Sequence, residues 1–164
     1  GLYFCWFWSH GGQTVAMSRA FERVRPLGIE PGSFQFVETH GTGTLIGDET
    51  ETRSLAEIYE GATHHLAVGA LKSKFGHCFA AAGMASLIKT VLALRHEQIP
   101  ANHFERSLKA GLGWDALGLD PLVRARPWQR ERGVVRRAAI NAFGTGGLNY
   151  HLLVEEEGAE RWTS

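Results

Sequence analysis

The stretch Phe34-Gln-Phe-Val-Glu-Thr-His-Gly-Thr-Gly-Thr44 decides the fold of this 164-residue chain, because it joins a short apolar run to a loop of small residues. Residues 34–37 predict a short buried strand. His40, Thr42 and Thr44 follow that strand directly, with glycines between them. Glycine lets a ligand approach the backbone and leaves amide N–H groups available to bind an oxyanion. The stretch therefore predicts a strand end that carries a reactive loop.

Two further segments repeat this order of an apolar run followed by small or reactive residues. Residues 66–71 predict a second strand, which leads to Lys72 and His77. Residues 137–143 and 148–155 predict two strands joined by a Gly-rich turn, as in a β-hairpin. In open α/β sheets, ligands bind at the carboxyl ends of the strands. The loops after the predicted strands are therefore the candidate positions for a site.

Helices are predicted around these strands. Residues 13–25 place apolar side chains at helical spacing. Asp48 is predicted to be the N-cap of a second helix, with Glu51 completing a capping box. Residues 80–94 carry almost no charge, which predicts a helix that is buried on every side. Two strand–loop–helix units followed by a hairpin indicate an α/β layered domain whose central helix lies between sheets.

The remaining segments carry weaker patterns. Residues 98–102 predict a further short strand, and residues 105–120 predict a variable surface region rich in glycine and leucine. Residues 124–137 hold six arginines against one glutamate. The favoured interpretation of this segment is a solvated face or linker, and the alternative is a docking surface for an acidic partner.

Composition narrows the class of protein. Apolar residues make up 44% of the chain and charged residues 21%, as is typical of globular domains. Lys plus Arg and Asp plus Glu number 17 each, so the net charge indicates neither a nucleic-acid nor a membrane partner. The apolar run at residues 2–8 is too short to cross a bilayer, which takes roughly 20 residues. Cys5 and Cys78 form no disulfide framework, which favours a reducing, cytoplasmic location.

Standard ligand-binding motifs do not fit the glycine loops. The spacing of Gly41, Gly43 and Gly47 misses the dinucleotide fingerprint by one residue, and no Gly-Lys-Ser or Gly-Lys-Thr run follows a Gly loop, which excludes a P-loop. A zinc site is conceivable from four side chains, but their spacing matches no standard ligand pattern. These four are His64, His65, His77 and Cys78.

Three motifs together resemble the β-ketoacyl synthases, or ketosynthases, of modular polyketide and fatty-acid synthases. The segments around His40 and His77 resemble those of the family's two catalytic histidines, and residues 141–149 resemble its Gly-rich strand. The resemblance implies an α/β, thiolase-like layered α-β-α-β-α fold, of which this chain holds the C-terminal half only. The implied division is an unmatched aromatic segment at 1–12, the ketosynthase half at 13–156, and a polar tail or linker at 157–164.

The resemblance also implies a reaction, the decarboxylative Claisen condensation. In this family a cysteine thiolate takes an acyl chain from the phosphopantetheine arm of a carrier protein, and a malonyl-type thioester then loses CO₂ and attacks it. The chain is expected to bind no metal or cofactor of its own. The resemblance assigns catalysis to His40, His77 and Lys72, one oxyanion-hole donor to the backbone N–H of Thr145, and pantetheine binding to Thr42 and Thr44.

The nucleophile itself is expected to be missing. The family's cysteine lies far upstream of the first histidine, whereas Cys5 lies among bulky aromatics and Cys78 adjoins His77, where consecutive side chains diverge. The expectation is a part of a parent acyltransferase that is inactive alone. A non-catalytic half-domain that binds acyl chains or complements another chain is the alternative, and a non-condensing thiolase-fold relative is the third hypothesis. Expected partners are an acyl carrier protein, the N-terminal half of the domain and a second copy in a homodimer, with no nucleic acid or membrane.

Overall fold

The computed structural model describes residues 9–62, 64–103, 112–144 and 146–158. Short 3-10 turns connect several of the regular elements. In chain order, the helices and strands of these residues are α1 (His10–Val24), β1 (Phe36–Glu38), α2 (Leu45–Ile58), β2 (Leu66–Gly69), α3 (Lys72–Phe75), α4 (Ala82–Arg95), β3 (Gln98–Ile99), β4 (Leu119–Pro121), β5 (Arg126–Pro127), β6 (Arg137–Gly144) and β7 (Leu148–Glu155).

One mixed sheet organises the described residues, with strand order β4-β2-β1-β6-β7. Strand β1 pairs in parallel with β2 and with β6, β2 pairs in parallel with β4, and β6 and β7 form the predicted antiparallel hairpin. Because β1, β2 and β6 run in the same direction, their carboxyl ends lie at one edge of the sheet. The loops after these three strands therefore lie side by side.

Helices cover both faces of this sheet. On one face, Met17 and Phe21 of α1 pack with Leu55 of α2 and with Tyr59, which directly follows α2. On the other face, Leu94 of α4 belongs to a second apolar cluster, which it shares with residues of β1, β2, β3 and β6. The α/β layering predicted from the sequence is therefore confirmed.

Helix α4 is not buried on every side, which corrects the prediction. Its inner side packs against β6, where a Cβ added to Gly83 would lie 3.2 Å from the Ala142 side chain. Met84, Ile88 and Val91 on its other side are exposed. The physical reason is that, among the described residues, no element lies against that side. The apolar sequence of α4 nevertheless matches a helix that has packing partners all round.

The starts of two helices differ from the predictions. Helix α1 begins at His10 rather than at residue 13, because the Ser9 side chain accepts a hydrogen bond from Gly12 N–H at 3.3 Å. Helix α2 begins at Leu45, so Asp48 lies in its first turn and is not its N-cap. The Asp48 carboxylate instead accepts the backbone N–H of Gly43 at 3.1 Å.

Several loop and strand predictions also change. Strand β1 covers residues 36–38 rather than 34–37, and the predicted loop after β2 contains the short helix α3. The predicted strand at 98–102 is reduced to the two residues of β3. The supposed surface region at 105–120 lies partly outside the described residues, but its end forms β4. Pro121 in β4 has no N–H to donate, which an edge strand tolerates.

The arginine-rich segment forms ion pairs within the chain. Arg126 pairs with Asp120, and the carboxylates of Glu155 and Glu156 pair with other arginines of the segment. Arg136 is nearly fully buried. The segment is therefore only partly the solvated face that the sequence predicted, since several of its arginines hold the ends of β6 and β7 in place.

Arg136 joins three parts of the fold. Its Nε and Nη2 donate to Oε2 of Glu156 at 2.9 and 2.7 Å, and its Nη1 donates to the carbonyl oxygen of Trp128 at 2.5 Å. Its backbone N–H donates to the other Glu156 oxygen at 2.9 Å. These bonds hold the end of β7 beside the start of β6.

We expect Glu156→Gln to lower the free energy of unfolding by about 1.5–3 kcal/mol, the range for hydrogen bonds to charged groups. Burial opposes ionisation, but the hydrogen bonds and charge of Arg136 hold the pKa of Glu156 below its usual range. Such a carboxyl contributes stability above its unfolded pKa of about 4.3 and loses it as the pH falls. Urea unfolding at pH 7 and in acid should therefore show the difference between the two proteins shrinking in acid.

Glu60→Gln is the matched control for this prediction, because Glu60 is an exposed carboxylate at the end of α2. The role given to Arg136 would be contradicted if Glu60→Gln lost as much stability as Glu156→Gln. It would also be contradicted if the difference in stability between the wild type and Glu156→Gln grew in acid.

Candidate active site

Three loops meet at the carboxyl edge of the sheet. Strand β1 leads to His40, β2 leads to Lys72 at the start of α3, and β6 leads to the hairpin turn. His40 is buried, whereas His77, which follows α3, is exposed. The two imidazole centroids lie 5.7 Å apart, with their planes at 80°. The fold therefore brings together the two histidines that the sequence singled out.

The two ring nitrogens of His40 have different roles. Nδ1 accepts the backbone N–H of Phe143 at 3.4 Å and lies 3.5 Å from Nζ of Lys72. Because Nδ1 is an acceptor, the proton of the neutral ring is on Nε2. Burial, then the charge of Lys72 and the proximity of His77, lowers the pKa of His40 to about 3. His40 is therefore a neutral Nε2–H donor at neutral pH.

Lys72 links α3 to the His40 loop. Its Nζ donates to the backbone carbonyl oxygen of His40 at 2.5 Å. Burial lowers the pKa of Lys72, while the charges of Glu51 and Glu38 act in the opposite direction. Two buried carboxylates thus favour a charged ammonium next to a neutral imidazole.

His77 is oriented by the residues that follow it. Phe79 has a left-handed backbone, with φ of 49°, an uncommon conformation for a bulky residue. Its backbone N–H donates to Nδ1 of His77 at 3.0 Å, and its ring centroid lies 5.5 Å from the imidazole centroid. A bonded Nδ1 again leaves the proton of the neutral ring on Nε2. Both histidines therefore have the same nitrogen protonated in the neutral state.

The carboxylate of Glu51 holds the backbone of the His40 loop. Its two oxygens accept the backbone N–H groups of His40 and Gly41 at 2.7 and 2.9 Å. Asn141 Nδ2 donates to the same carboxylate at 2.8 Å. Burial raises the pKa of Glu51, and the bonds from Gly41, Asn141 and His40 act against that rise. Glu51 therefore bonds backbone N–H groups of the loop before α2. The capping-box pattern had predicted that it would bond the N-cap residue, Asp48.

A buried series of polar side chains extends from this carboxylate. Nδ1 of His151 lies 2.6 Å from Oδ1 of Asn141, and Nε2 of His151 lies 3.1 Å from the Tyr59 hydroxyl. Since Asn141 gives its N–H to Glu51, its oxygen accepts from His151 Nδ1–H, and the Tyr59 hydroxyl donates to Nε2. Burial lowers the pKa of His151 to about 3, so the ring stays neutral.

Sequence reasoning missed this series, although it contained a signal. Asn141 and His151 face each other across the β6–β7 hairpin, so the predicted hairpin already pairs two polar residues. A buried polar pair in otherwise apolar strands indicates a further partner, because buried polar groups are hydrogen-bonded. Tyr59 on the opposing α2 side is that partner.

The other predicted site residues lie around the loop ends. The hydroxyls of Thr42 and Thr44 are 3.2 Å apart, and Thr44 is exposed. Thr145, the predicted oxyanion-hole residue, lies outside the described residues. Its neighbour Gly144 ends β6, close in sequence to the Phe143 N–H that contacts His40.

Cys78 and the alternative zinc set do not form a second site among the residues that the structure describes. Cys78 is exposed, and its Sγ lies 3.9 Å from the Gly76 carbonyl oxygen, while Cys5 lies outside the described residues. His64 and His65 precede β2, whereas the other two candidate zinc ligands follow α3. In the described part of the chain, no group of three or more His, Cys, Asp or Glu side chains is placed to hold a metal ion. Nor is any helix described here long and apolar enough to cross a membrane.

Known proteins resemble this chain in sequence. The family model described as "Beta-ketoacyl synthase, C-terminal domain" matches residues 7–104. A mycocerosic acid synthase-like polyketide synthase from Mycolicibacterium smegmatis is 42% identical over 134 residues, which cover 81% of this chain and 6% of the relative. The erythronolide synthase EryA2 of Saccharopolyspora erythraea is 42% identical over 139 residues, which cover 82% of this chain and 4% of the relative. The chain therefore spans a small part of these large proteins.

Solved ketosynthase structures resemble it in fold. The oxazolomycin ketosynthase domain OzmH KS7 of Streptomyces albus superposes with a TM-score of 0.84 at 35% identity, over 96% of this chain and 28% of that one. Ketosynthase twelve of the bacillaene synthase of Bacillus amyloliquefaciens gives a TM-score of 0.83 at 28% identity, with the same coverage. These likenesses bear out the thiolase-like α/β fold that the three motifs implied.

Proposed function

The chain belongs to the β-ketoacyl synthase family, matching its C-terminal domain, and from this premise we propose that it forms the decarboxylating part of a condensing active site. The proposed reaction joins an acyl thioester to a malonyl-type carrier-protein thioester with loss of CO₂. The polyketide synthase relatives support this reaction class. His40, His77 and Lys72 are the proposed catalytic residues.

The observation that carries the proposal is the pair of imidazoles, His40 and His77. Their centroids are 5.7 Å apart, and each Nδ1 is occupied by a backbone N–H. The Nε2–H groups of two rings this close are proposed to bond one oxygen between them. Preorganised donors stabilise negative charge as it forms, and each can be worth about 3 kcal/mol of barrier.

In the proposed reaction, the Nε2–H groups of His40 and His77 stabilise the negative charge that forms during decarboxylation. The bond between the malonyl α-carbon and its carboxylate breaks, the carboxylate leaves as CO₂, and the bonding electron pair forms an enolate. The enolate charge rests on the thioester oxygen, which accepts the Nε2–H bonds of His40 and His77. The enolate carbon then attacks the carbonyl of the acyl-cysteine. The backbone N–H of Thr145 is the proposed donor to the second oxyanion, whose collapse releases the thiolate.

Three further residues have supporting roles in the proposal. Burial is the main reason that the His40 ring stays a neutral donor, and the Lys72 ammonium, 3.5 Å from Nδ1, adds to this effect by disfavouring a charged ring. The hydroxyls of Thr42 and Thr44 lie at the open end of the same loop, where they are proposed to bond the amide groups of a phosphopantetheine arm. The arm belongs to the substrate carrier, and the chain is not proposed to hold a cofactor of its own.

The remainder of a ketosynthase domain is the first proposed partner. This chain corresponds to 28% of the OzmH KS7 chain. The exposed side of α4, with Met84, Ile88 and Val91, is proposed to pack against that remainder, which would supply the nucleophilic cysteine. A carrier protein and a second copy of the domain are the other proposed partners. The division at residues 13–156 and the cytoplasmic location stay predictions.

A half-domain that only complements another chain is the second candidate function, and the exposed side of α4 favours it equally. The surroundings of His40 favour the catalytic proposal. A packing module does not require a buried neutral histidine whose ring nitrogen lies 3.5 Å from a lysine ammonium and whose backbone N–H is bonded by a buried carboxylate.

We expect the 164-residue chain alone to form no stable acyl adduct when it is incubated with an acyl thioester. The S–H of Cys78 faces the Gly76 carbonyl oxygen, 3.9 Å away, which cannot take its proton. Mass spectrometry of the intact chain checks this, and alkylation by iodoacetamide is the control that the thiols are reachable. The intact parent protein should acylate a cysteine outside this chain and release CO₂ from a malonyl thioester. Stable acylation of Cys5 or Cys78 would overturn the assignment.

A further inference from the structure

One buried carboxylate, that of Glu38, connects three elements that lie close to the two histidines. Glu38, the last residue of β1, is fully buried. Its Oε1 accepts the backbone N–H of Leu71 at 2.5 Å, and its Oε2 lies 2.5 Å from the ammonium of Lys89 on α4. Leu71 directly precedes Lys72, and α4 follows the loop of His77. A single side chain thus connects β1, the start of α3 and α4.

From this geometry we propose that Glu38, with Lys89 as its counter-ion, is a positioning residue that sets the separation of His40 and His77. His40 is two residues beyond Glu38, so movement of the end of β1 relative to α4 changes the distance between the imidazoles. The inference rests on the proposed function, because it concerns two donors that share one oxygen. Displacing a reacting group by about 1 Å can slow a reaction roughly 100-fold.

The surroundings of the pair accommodate its charges. Gly69 of β2 is the register partner of Glu38, and a Cβ at Gly69 would lie 2.6 Å from the Glu38 Oε2 and 2.6 Å from a ring carbon of Phe36. The Lys89 ammonium lies 5.8 Å from the centroid of the same ring, a cation–π distance. The neighbouring strand therefore leaves the space that the carboxylate occupies.

Stability alone is a weak reason for such a pair. Two buried charges lose their hydration, and apolar side chains of similar volume are often at least as stabilising. Burial raises the pKa of Glu38, and the charge and hydrogen bond of Lys89 act against the rise. A charged pair placed between the histidine-bearing segments is better explained by the fixed geometry that it imposes.

The test measures three quantities in the intact ketosynthase that contains this chain: CO₂ release from a malonyl thioester, acylation of the nucleophile, and the melting temperature. Lys89→Met leaves the Glu38 charge buried without its counter-ion, so the melting temperature should fall. The double variant Glu38→Gln/Lys89→Met removes both charges, so its melting temperature should return most of the way to the wild-type value. We expect the double variant to keep normal acylation, while kcat for CO₂ release stays roughly 10- to 100-fold low with KM unchanged.

The matched control is Arg137→Met/Glu155→Gln, which removes an ion pair between β6 and β7, at 3.0 Å, from the end of β6 opposite to Phe143. It should leave CO₂ release per folded molecule unchanged. Wild-type CO₂ release by the Glu38→Gln/Lys89→Met variant would overturn the inference and leave the proposed function standing. A wild-type protein that releases no CO₂ would instead overturn the proposed function and the inference together.

Glu38→Asp decides the matter if the double variant does not fold. This change keeps the charge but shortens the side chain by one methylene, so the carboxylate no longer reaches both Leu71 and Lys89. A folded Glu38→Asp protein with reduced CO₂ release supports the positioning role. The same protein with the wild-type rate contradicts it.

Discussion

Replacing His40 or His77 by alanine is expected to lower CO₂ release from a malonyl thioester by roughly 100- to 1,000-fold in the intact ketosynthase, the loss typical of removing one oxyanion donor. Each substitution removes one of the two Nε2–H donors, which belong to imidazoles whose ring centroids lie 5.7 Å apart. The fall should appear in kcat, since the interaction forms only as the enolate charge develops. Acylation of the nucleophilic cysteine is expected to continue, because the proposal gives the histidines no part in that step.

His96→Ala is the control for this prediction, because His96 is an exposed histidine at the end of α4. Comparison of CO₂ release with the mass of the acyl-enzyme separates the two half-reactions in each variant. Normal CO₂ release by either site variant would remove that histidine from the mechanism. Loss of acylation together with CO₂ release would point to a collapsed site, which the melting temperature would reveal.

The strands that carry the site were predictable because their sequence pattern is local. Short apolar runs followed by small or reactive residues predicted β1, β2 and the β6–β7 hairpin, and all three are confirmed within a few residues. Strand β4 was missed because Leu119-Asp120-Pro121 is only three residues long and contains a proline. Its strand character comes from pairing with β2, a long-range contact that no local pattern records.

The predictions of where α2 begins and of how far α4 is buried were wrong for related reasons. Asp48 is a good N-cap by residue type, but its carboxylate bonds the N–H of Gly43 in the preceding loop, and α2 begins at Leu45. The composition of α4 indicated burial on all sides, yet only one side is covered among the described residues. In both cases the local preference is real, and a tertiary contact, or its lack in this chain, decides the outcome.

The sequence predicted which residues form the candidate site, but it did not predict how they are arranged or hydrogen-bonded. The motifs named His40, His77 and Lys72, but the sequence could not reveal which ring nitrogen carries the proton. That assignment depends on the backbone N–H groups of Phe143 and Phe79, which are far apart in the chain. Every residue except proline has a backbone N–H, so no pattern of side chains predicts which of them form such bonds.

Glu51→Ala is expected to lower both the free energy of unfolding and the rate of decarboxylation. The change leaves two buried donors, the backbone N–H of His40 and the side-chain amide of Asn141, and one part-buried donor, the backbone N–H of Gly41, without their acceptor. Each unsatisfied buried donor costs about 1–3 kcal/mol, so the two buried donors together cost about 2 kcal/mol or more. Urea unfolding and CO₂ release, measured on the same preparation, check the two effects.

Glu49→Gln provides the control on the same helix. Glu49 forms a surface ion pair with Arg53 at 2.7 Å, a type of pair worth about 0–1 kcal/mol, so its loss should be barely measurable. Glu51→Gln should lie between the two, because its amide keeps one acceptor oxygen but turns an N–H toward a donor. If the Glu51→Ala protein were as stable as the Glu49→Gln protein, the His40 loop would not depend on the Glu51 carboxylate. Lower stability with unchanged CO₂ release per folded molecule would limit Glu51 to folding, because a correctly placed His40 would then not require it.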